Sequence, residues 1–156
     1  NSIVVVNTDG SLNPSNIDGT LQAASAFNVL GTGPAGGLTD GTNNNQVGVL
    51  NPLLGAVANY GGLTPTMPLL PGSVAINAGT SLSTPATDQR GIARPQQSAV
   101  DVGAFESRGF VLALSGGSGQ SALIGSAFTN PLAVTVTAVA AGEPVNPGRL
   151  TFTAPS

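Results

Sequence analysis

The sequence has 156 residues, a formal net charge of −3, 40% hydrophobic residues and only 7% charged residues. Its four Lys and Arg residues in total cannot form the cation cluster that phosphate groups require, which excludes a nucleic-acid partner. The absence of Cys and His excludes thiolate and imidazole metal sites. A surface built from hydroxyls, amides and glycine turns is typical of stacked or sandwiched β-structure.

No apolar run approaches the roughly 20 residues of a membrane-spanning helix, so membrane insertion of this chain is not predicted. The sequence begins at Asn1 without a signal peptide and is interpreted as a processed piece or fragment of a longer polypeptide. Oxygen ligands would suit Ca²⁺ or Mg²⁺, but no spacing points to such a site. We therefore predict no metal and no cofactor.

Short apolar runs separated by turn residues occupy the first 41 positions. The first run consists of Ile3, Val4, Val5 and Val6. Two further short strands are predicted at 16–21 and 26–31. Corresponding runs recur after roughly two dozen residues, which is the size of one coil of a solenoid. We therefore predict stacked parallel coils, with the first run at a coil end that serves assembly.

Two polar segments of this region have competing interpretations. The stretch from Asp9 to Asp18 faintly resembles a calcium loop, but Leu12 stands where such a loop needs Gly, and a plain turn is favoured. The run Asn43-Asn44-Asn45 is interpreted as a solvated loop. The alternative is that it extends an internal ladder of stacked amides.

Residues 48–106 are rich in loops and proline, with one candidate short helix at 51–58. The segment ends with a concentration of charge: Asp88, Arg90, Arg94, Asp101 and Glu106. In a functional interpretation the three acids are catalytic groups or Ca²⁺ ligands, and Arg90 or Arg94 binds the carboxylate of a sugar acid. The structural interpretation has Asp88 capping a turn and the arginines pairing with Asp101 or Glu106, which ties the last coil to a covering loop. We predict that Arg90 or Arg94 makes a charge-assisted hydrogen bond with Asp88, Asp101 or Glu106. No spacing implies the fixed carboxylate separation of a glycosidase, so we predict a structural cluster and no catalytic residue.

The last segment changes character near residues 107–109. Residues 132–137 alternate with period two and place Leu132, Val134 and Val136 on one face, as in a half-buried sandwich strand that could serve assembly. Further strands are predicted at 110–114 and 149–153. Turns are predicted at 116–119 and 143–148.

An ordered series of blocks carries a family resemblance: NYGG at 59–62, LPGS at 70–73, AINAG at 75–79, TDQRG at 87–91 and DVGAFE at 101–106. It resembles the C-terminal part of the bacterial choice-of-anchor Q surface proteins, which carry parallel β-helix repeats. Val74 stands where that pattern has Pro, and Asn77 stands where it has Asp. Residues 109–156 resemble the start of a bacterial Ig-like repeat. The resemblance covers only about half of such a repeat, because a complete sandwich needs roughly 100 residues and seven strands.

The resemblance implies an all-β fold in two parts. Residues 1–107 would be the C-terminal coils of a right-handed parallel β-helix with a covering loop, and residues 108–156 a partial Ig-like β-sandwich. The implied function is that of a non-catalytic, extracellular structural protein at the bacterial cell surface: a stalk, an adhesin or a filament subunit. We expect self-association into a multimer or filament through strand and coil-end contacts.

Two other functions compete with the structural one. The chain could be the tail of a β-helix polysaccharide lyase or hydrolase, because many β-helices are such enzymes, although fold does not fix function. It could also be a glycan- or ice-binding module, which makes surface glycans an alternative partner. A lyase predicts clustered carboxylates and cations on one strand face, but the first 50 residues hold three Asp and no cation. An ice binder predicts regular Thr-x-Thr ladders, which are absent before Thr64.

Overall fold

A computed structural model describes residues 1–82 and 84–153 of the chain. Within these ranges the fold consists of short strands, turns and one 3-10 turn, so the all-β fold class is confirmed. None of the described residues forms a helix that is long and apolar enough to cross a membrane. The elements are β1 (Ile3–Val4), β2 (Val29–Gly31), the 3-10 turn (Thr42–Asn44), β3 (Gln46–Val49), β4 (Phe110–Gly116) and β5 (Ala133–Ala138).

The first three strands form a parallel sheet in the order β1-β2-β3. Ile3 is paired with Val29, which is paired in turn with Gln46. A separate parallel bridge joins Ile17 to Ala35. Consecutive stretches of chain thus run side by side in parallel at both places. The positions that precede the three strands are 26 and 17 residues apart, so only the first separation is close to the predicted two dozen residues.

A ladder of polar side chains runs beside this sheet at the position that precedes each strand. Asn45 Oδ1 accepts hydrogen bonds from the Asn28 backbone N–H at 3.1 Å and from Asn28 Nδ2 at 2.9 Å, 17 residues earlier. Asn28 Oδ1 accepts the backbone N–H of Ser2 at 3.2 Å, 26 residues earlier. Asn45 is 1% exposed, so the ladder interpretation is correct for this residue of the asparagine run. Asn43 and Asn44 are exposed.

The hydrophobic core lies between the parallel sheet and the loops that follow it. Its fully buried members are Val29, Leu69, Ala75, Val102 and Phe105. Ile3 and Val49 pack against this cluster from the sheet side. The Tyr60 ring meets the Phe105 ring edge-on, with centroids 6.1 Å apart. The loops over residues 50–106, which we call the covering segment, therefore complete an interior that three short strands could not enclose alone.

The last two strands form an antiparallel pair. Leu112 is opposite Val136 and Leu114 is opposite Val134, so one face of the pair is apolar. Thr135 lies on the other face and is exposed, as the period-two pattern predicted. The chain after β5 returns to the covering segment, where the Arg149 N–H donates to the Pro71 carbonyl at 2.7 Å.

Two predicted strands are shorter than expected or absent. Val5 and Val6 do not belong to β1, which ends at Val4. Val6 has a φ of 59° and is 81% exposed, so the chain turns out of the sheet before it. The predicted strand at 16–21 is reduced to the single bridge at Ile17. Apolar content there was too low to hold a longer strand against the core.

Three predictions later in the chain are also wrong. The candidate helix at 51–58 does not form, because Leu53 has a φ of 55° that an α-helix does not accommodate, and Leu54 makes an antiparallel bridge to Leu69 instead. Leu132 lies outside β5. Residues 149–153 form no strand, because the Arg149 backbone bonds to Pro71 rather than to a neighbouring strand.

We predict that Asn45→Ala destabilises the chain by about 2 kcal/mol, because it leaves the part-buried Asn28 N–H and the Ser25 carbonyl without their partner, whereas the Thr42 carbonyl keeps the Asn45 backbone N–H. Equilibrium urea unfolding would measure the change. Gln22→Ala, at an exposed site, serves as the control and should stay within about 0.5 kcal/mol of the unaltered chain. Equal effects of the two substitutions would contradict the ladder's structural role.

Candidate functional site

The predicted charge cluster begins in a tight turn that Asp88 organises. Thr87 and Ala93 form an antiparallel bridge, and the Asp88 N–H donates to the Ile92 carbonyl at 2.7 Å. Asp88 Oδ1 accepts the backbone N–H groups of Arg90 at 2.8 Å and Ile92 at 3.0 Å. Asp88 therefore caps the turn, as predicted, and the turn directs Arg90 inward.

The Arg90 side chain lies almost fully buried at the centre of the cluster. Its Nε donates to Asp88 Oδ2 at 2.9 Å, and its Nη2 donates to the Glu106 carbonyl at 2.6 Å. The guanidinium carbon stands 3.4 Å from the centroid of the Phe105 ring. A desolvated cation is thus held by a carboxylate, a carbonyl and an aromatic face together.

Arg94 makes the second ion pair of the cluster, with Glu106. Its Nη1 donates to Glu106 Oε2 at 3.2 Å and to the Asp101 carbonyl at 2.9 Å, and its Nη2 donates to the Gly103 carbonyl at 2.7 Å. Glu106 also accepts the backbone N–H groups of Asp101 and Gln96, each at 3.0 Å. The predicted charge-assisted hydrogen bonds are therefore present for both arginines, Arg90 with Asp88 and Arg94 with Glu106, whereas the Asp101 carboxylate pairs with neither.

Asp101 acts differently from the other predicted acids, because its carboxylate meets backbone donors rather than an arginine. Oδ1 accepts the Asn77 N–H and Oδ2 accepts the Ser107 N–H, both at 2.7 Å. Burial raises the pKa of Asp101 to about 6, and the neighbouring charge of Glu106 acts in the same direction, against the two backbone hydrogen bonds. Asp101 ties the loop at Asn77 to the start of the last segment.

Two members of the cluster escaped the sequence analysis: Glu143 and Arg108. Glu143 follows β5 and reaches back, so that its Oε1 accepts Arg108 Nε at 3.0 Å and Arg90 Nη1 at 3.3 Å. Its Oε2 accepts the Arg108 N–H at 3.1 Å. The sequence predicts only a turn over residues 143–148. The signal in the sequence that points to Glu143 is the rarity of charge: with only seven acidic residues in the chain, each is a candidate partner for a buried arginine.

The remaining predicted positions lie apart from the cluster. Ile3 and Val5 pack against the hydrophobic core, Val4 between them is half-buried, and Val134 and Val136 lie on the apolar face of the antiparallel pair. Asp9 accepts the Ser11 and Asn13 N–H groups at 2.8 and 2.9 Å, which is the turn that was favoured. Among the described residues, no three His, Cys, Asp or Glu side chains are placed to hold a metal ion.

The cluster's carboxylates are occupied by hydrogen-bond donors of the chain itself. Asp88, Glu106 and Glu143 each accept at least one backbone N–H and one guanidinium N–H. This arrangement can hold the two sheets together, and its acids have few lone pairs left for a substrate or a cation. Comparison with protein families, with curated proteins and with solved structures found no match to this chain.

We predict that Glu106→Ala destabilises the fold by about 3 to 5 kcal/mol, because the Arg94 guanidinium stays buried after it loses its charge partner. Thermal and urea unfolding followed by circular dichroism would measure the loss. Asp18→Asn, at an exposed aspartate, is the matched control and should change stability by less than about 0.5 kcal/mol. A loss of stability below about 1 kcal/mol for Glu106→Ala would contradict a stabilising role of the Arg94–Glu106 ion pair.

The stability of the chain should pass through a maximum on the acid side of neutrality. Asp101 has a raised pKa, so the folded state binds its proton more tightly than the unfolded state, and stability rises as the pH falls from about 6 toward 3.8. Asp88 has a lowered pKa, because hydrogen bonds from Glu106, Arg90 and Ile92 outweigh burial, so its contribution is lost below pH 3.8.

Urea unfolding at half-unit steps from pH 3 to pH 7 would test this profile. One proton of linkage gives a slope of at most about 1.4 kcal/mol per pH unit. In Asp101→Asn the rise between pH 6 and 4 should disappear even though the variant is less stable throughout. A slope that persists in that variant would assign the titration to another group.

Proposed function

We propose that this chain is a non-catalytic structural protein of the extracellular bacterial surface, in which a buried ionic clamp joins two β-modules into one unit. The clamp consists of the ion pairs among Asp88, Arg90, Arg94, Glu106, Arg108 and Glu143. The observation that carries this proposal is the Arg90 site. One guanidinium bonds Asp88 of the covering segment and Glu143 of the segment after β5, with both carboxylates at most 2% exposed. Charges used in this way serve cohesion rather than turnover.

The finer architecture follows from the same proposal. The parallel turns of the first half are the last coils of a right-handed parallel β-helix, and the antiparallel pair is the start of an Ig-like β-sandwich. The parallel pairing of Val29 with both Ile3 and Gln46 supports the first assignment. The alternation of Val134 and Val136 with exposed Thr135 supports the second. The resemblance to bacterial surface proteins and the low charge content support the location.

Self-association has its best support at the antiparallel pair. Leu112 and Leu114 on β4 are 58% and 62% exposed. Val134 and Val136 on the same face are half-buried, and residues 145–150 lie beside them. The apolar face is thus covered on its β5 half and open on its β4 half, with a free strand edge at β4. A strand from another chain could pair with that edge and cover the two leucines.

We predict that the purified chain forms multimers and that Leu112→Lys together with Leu114→Lys converts them to monomers, because charge on the open face opposes its burial. Sedimentation velocity over a hundredfold concentration range would measure the distribution. Thr135→Lys together with Thr137→Lys places the same charge on the opposite face of the pair and should leave the multimers intact.

Two results would contradict the proposed function. A chain that is monomeric at every concentration, with both sheets folded, would remove self-association as its role. Release of sugars or unsaturated products from pectin, alginate or glucan by the purified chain would assign it to the polysaccharide-degrading enzymes instead.

A further inference from the structure

The outer edge of β1 is an open end of the parallel sheet. The Val29 N–H donates to the Ser2 carbonyl at 2.8 Å, so Ser2 directs its backbone toward β2. Backbone groups of consecutive strand residues point to opposite edges. The N–H and C=O of Ile3 therefore face away from β2, at the side of the sheet where the strand order ends.

The opposite edge of the same sheet is protected. Gln46 directs its N–H to the Asn28 carbonyl at 2.8 Å, so Val47 directs its own N–H outward. Asp40 Oδ1 accepts that N–H at 2.8 Å, and the Gln46 side chain donates to the Val74 carbonyl at 2.9 Å. A side chain that occupies the edge donor blocks strand addition there. The sheet is consequently closed at β3 and, within residues 1–82 and 84–153, open at β1.

The amide ladder has the same direction. Each ladder oxygen accepts the backbone N–H of the equivalent residue one coil earlier: Asn45 accepts from Asn28, and Asn28 accepts from Ser2. Ser2 occupies the next position, it is exposed, and its hydroxyl can accept a hydrogen bond. A coil placed before β1 would supply the backbone N–H that continues the series.

The interior of the stack is also open at this end. A cavity of about 800 Å³ lies beside β1, and its lining includes side chains from the core. Those core members are Ile3, Leu54, Leu69, Val102 and Phe105. Thr66 lines the same cavity, and its buried hydroxyl has no hydrogen-bond partner among the described residues. An apolar side chain from an added strand would have a preformed place to pack.

We propose that the β1 end is a docking surface for one further parallel β-coil of the same kind as residues 29–45, paired along Ile3–Val4 and filling this cavity with an apolar side chain. The proposal rests on the proposed structural function and specifies its coil-end contact. The open edge, the ladder and the cavity each lack a partner that a coil added at β1 would supply. A second copy of this chain is disfavoured as the occupant, because its corresponding edge at β3 is occupied by Asp40.

An extended chain tests the proposal directly. A copy of residues 26–43 placed ahead of Asn1 sets the copied Val29 17 positions before Ile3, which is the spacing that separates Val29 from Gln46. The contacts of Asn1 with Thr80 and Thr84 can persist in this design. The matched control carries the same extension with proline at the copied Val29 and Leu30, which removes both strand donors.

We expect amide hydrogen exchange of residues 3–5, followed by mass spectrometry, to slow at least tenfold in the extended chain and not in the proline control. The midpoint of thermal unfolding should rise by several degrees in the extended chain alone. Equal exchange rates in the two extended chains would overturn the proposal. It would also be overturned if unextended chains dimerise through this end and Ile3→Lys abolishes that dimer, because a second copy would then be the occupant. Neither result depends on the leucines of β4 or on turnover of polysaccharides, so the proposed function is tested separately.

Discussion

The Arg90 guanidinium is the group on which both halves of the chain converge. It bonds Asp88 in its own turn, lies over the Phe105 ring of the core and reaches Glu143 beyond β5. A buried cation is costly unless its donors are bonded, so the turn, the ring and the returning segment must be in place together. The position of the antiparallel pair relative to the parallel coils depends on that requirement.

A buried ionic network of this kind is a source of specificity more than of net stability. Removing ions from water offsets most of their attraction, and well-packed apolar groups of equal volume could hold as firmly. Glu143, however, bonds two guanidinium groups at fixed positions, that of Arg90 in the covering segment and that of Arg108 just before β4, whereas an apolar side chain could shift along its contact surface. Seven of the chain's eleven charged residues lie at this junction. Because few charged residues lie elsewhere, each charged group at the junction has few alternative partners.

The parts that were predictable from the sequence are those that local patterns determine. The alternation at Val134 and Val136, the apolar run at Ile3 and the turn cap of Asp88 each follow from neighbouring residues. Glu143 could not be found in this way, because its partners are 35 and 53 residues away. The helix expected at 51–58 failed for the same reason: Leu54 is held by Leu69, and this long-range bridge overrides local preference. Asn45 was ambiguous until its alignment with Asn28 was known.

The two open surfaces of the molecule differ in kind, and the difference bears on how it assembles. At β1 the backbone edge, the amide ladder and the cavity all require a partner that repeats the geometry of the existing coil, which makes that end selective. At β4 the exposed leucines and the free edge require only an apolar strand, which makes that surface permissive. Asp40 prevents the selective end from meeting a copy of the same chain head to tail. Because a second copy is disfavoured at the β1 end, the self-association we propose has its support at the permissive surface, where Leu112 and Leu114 are exposed.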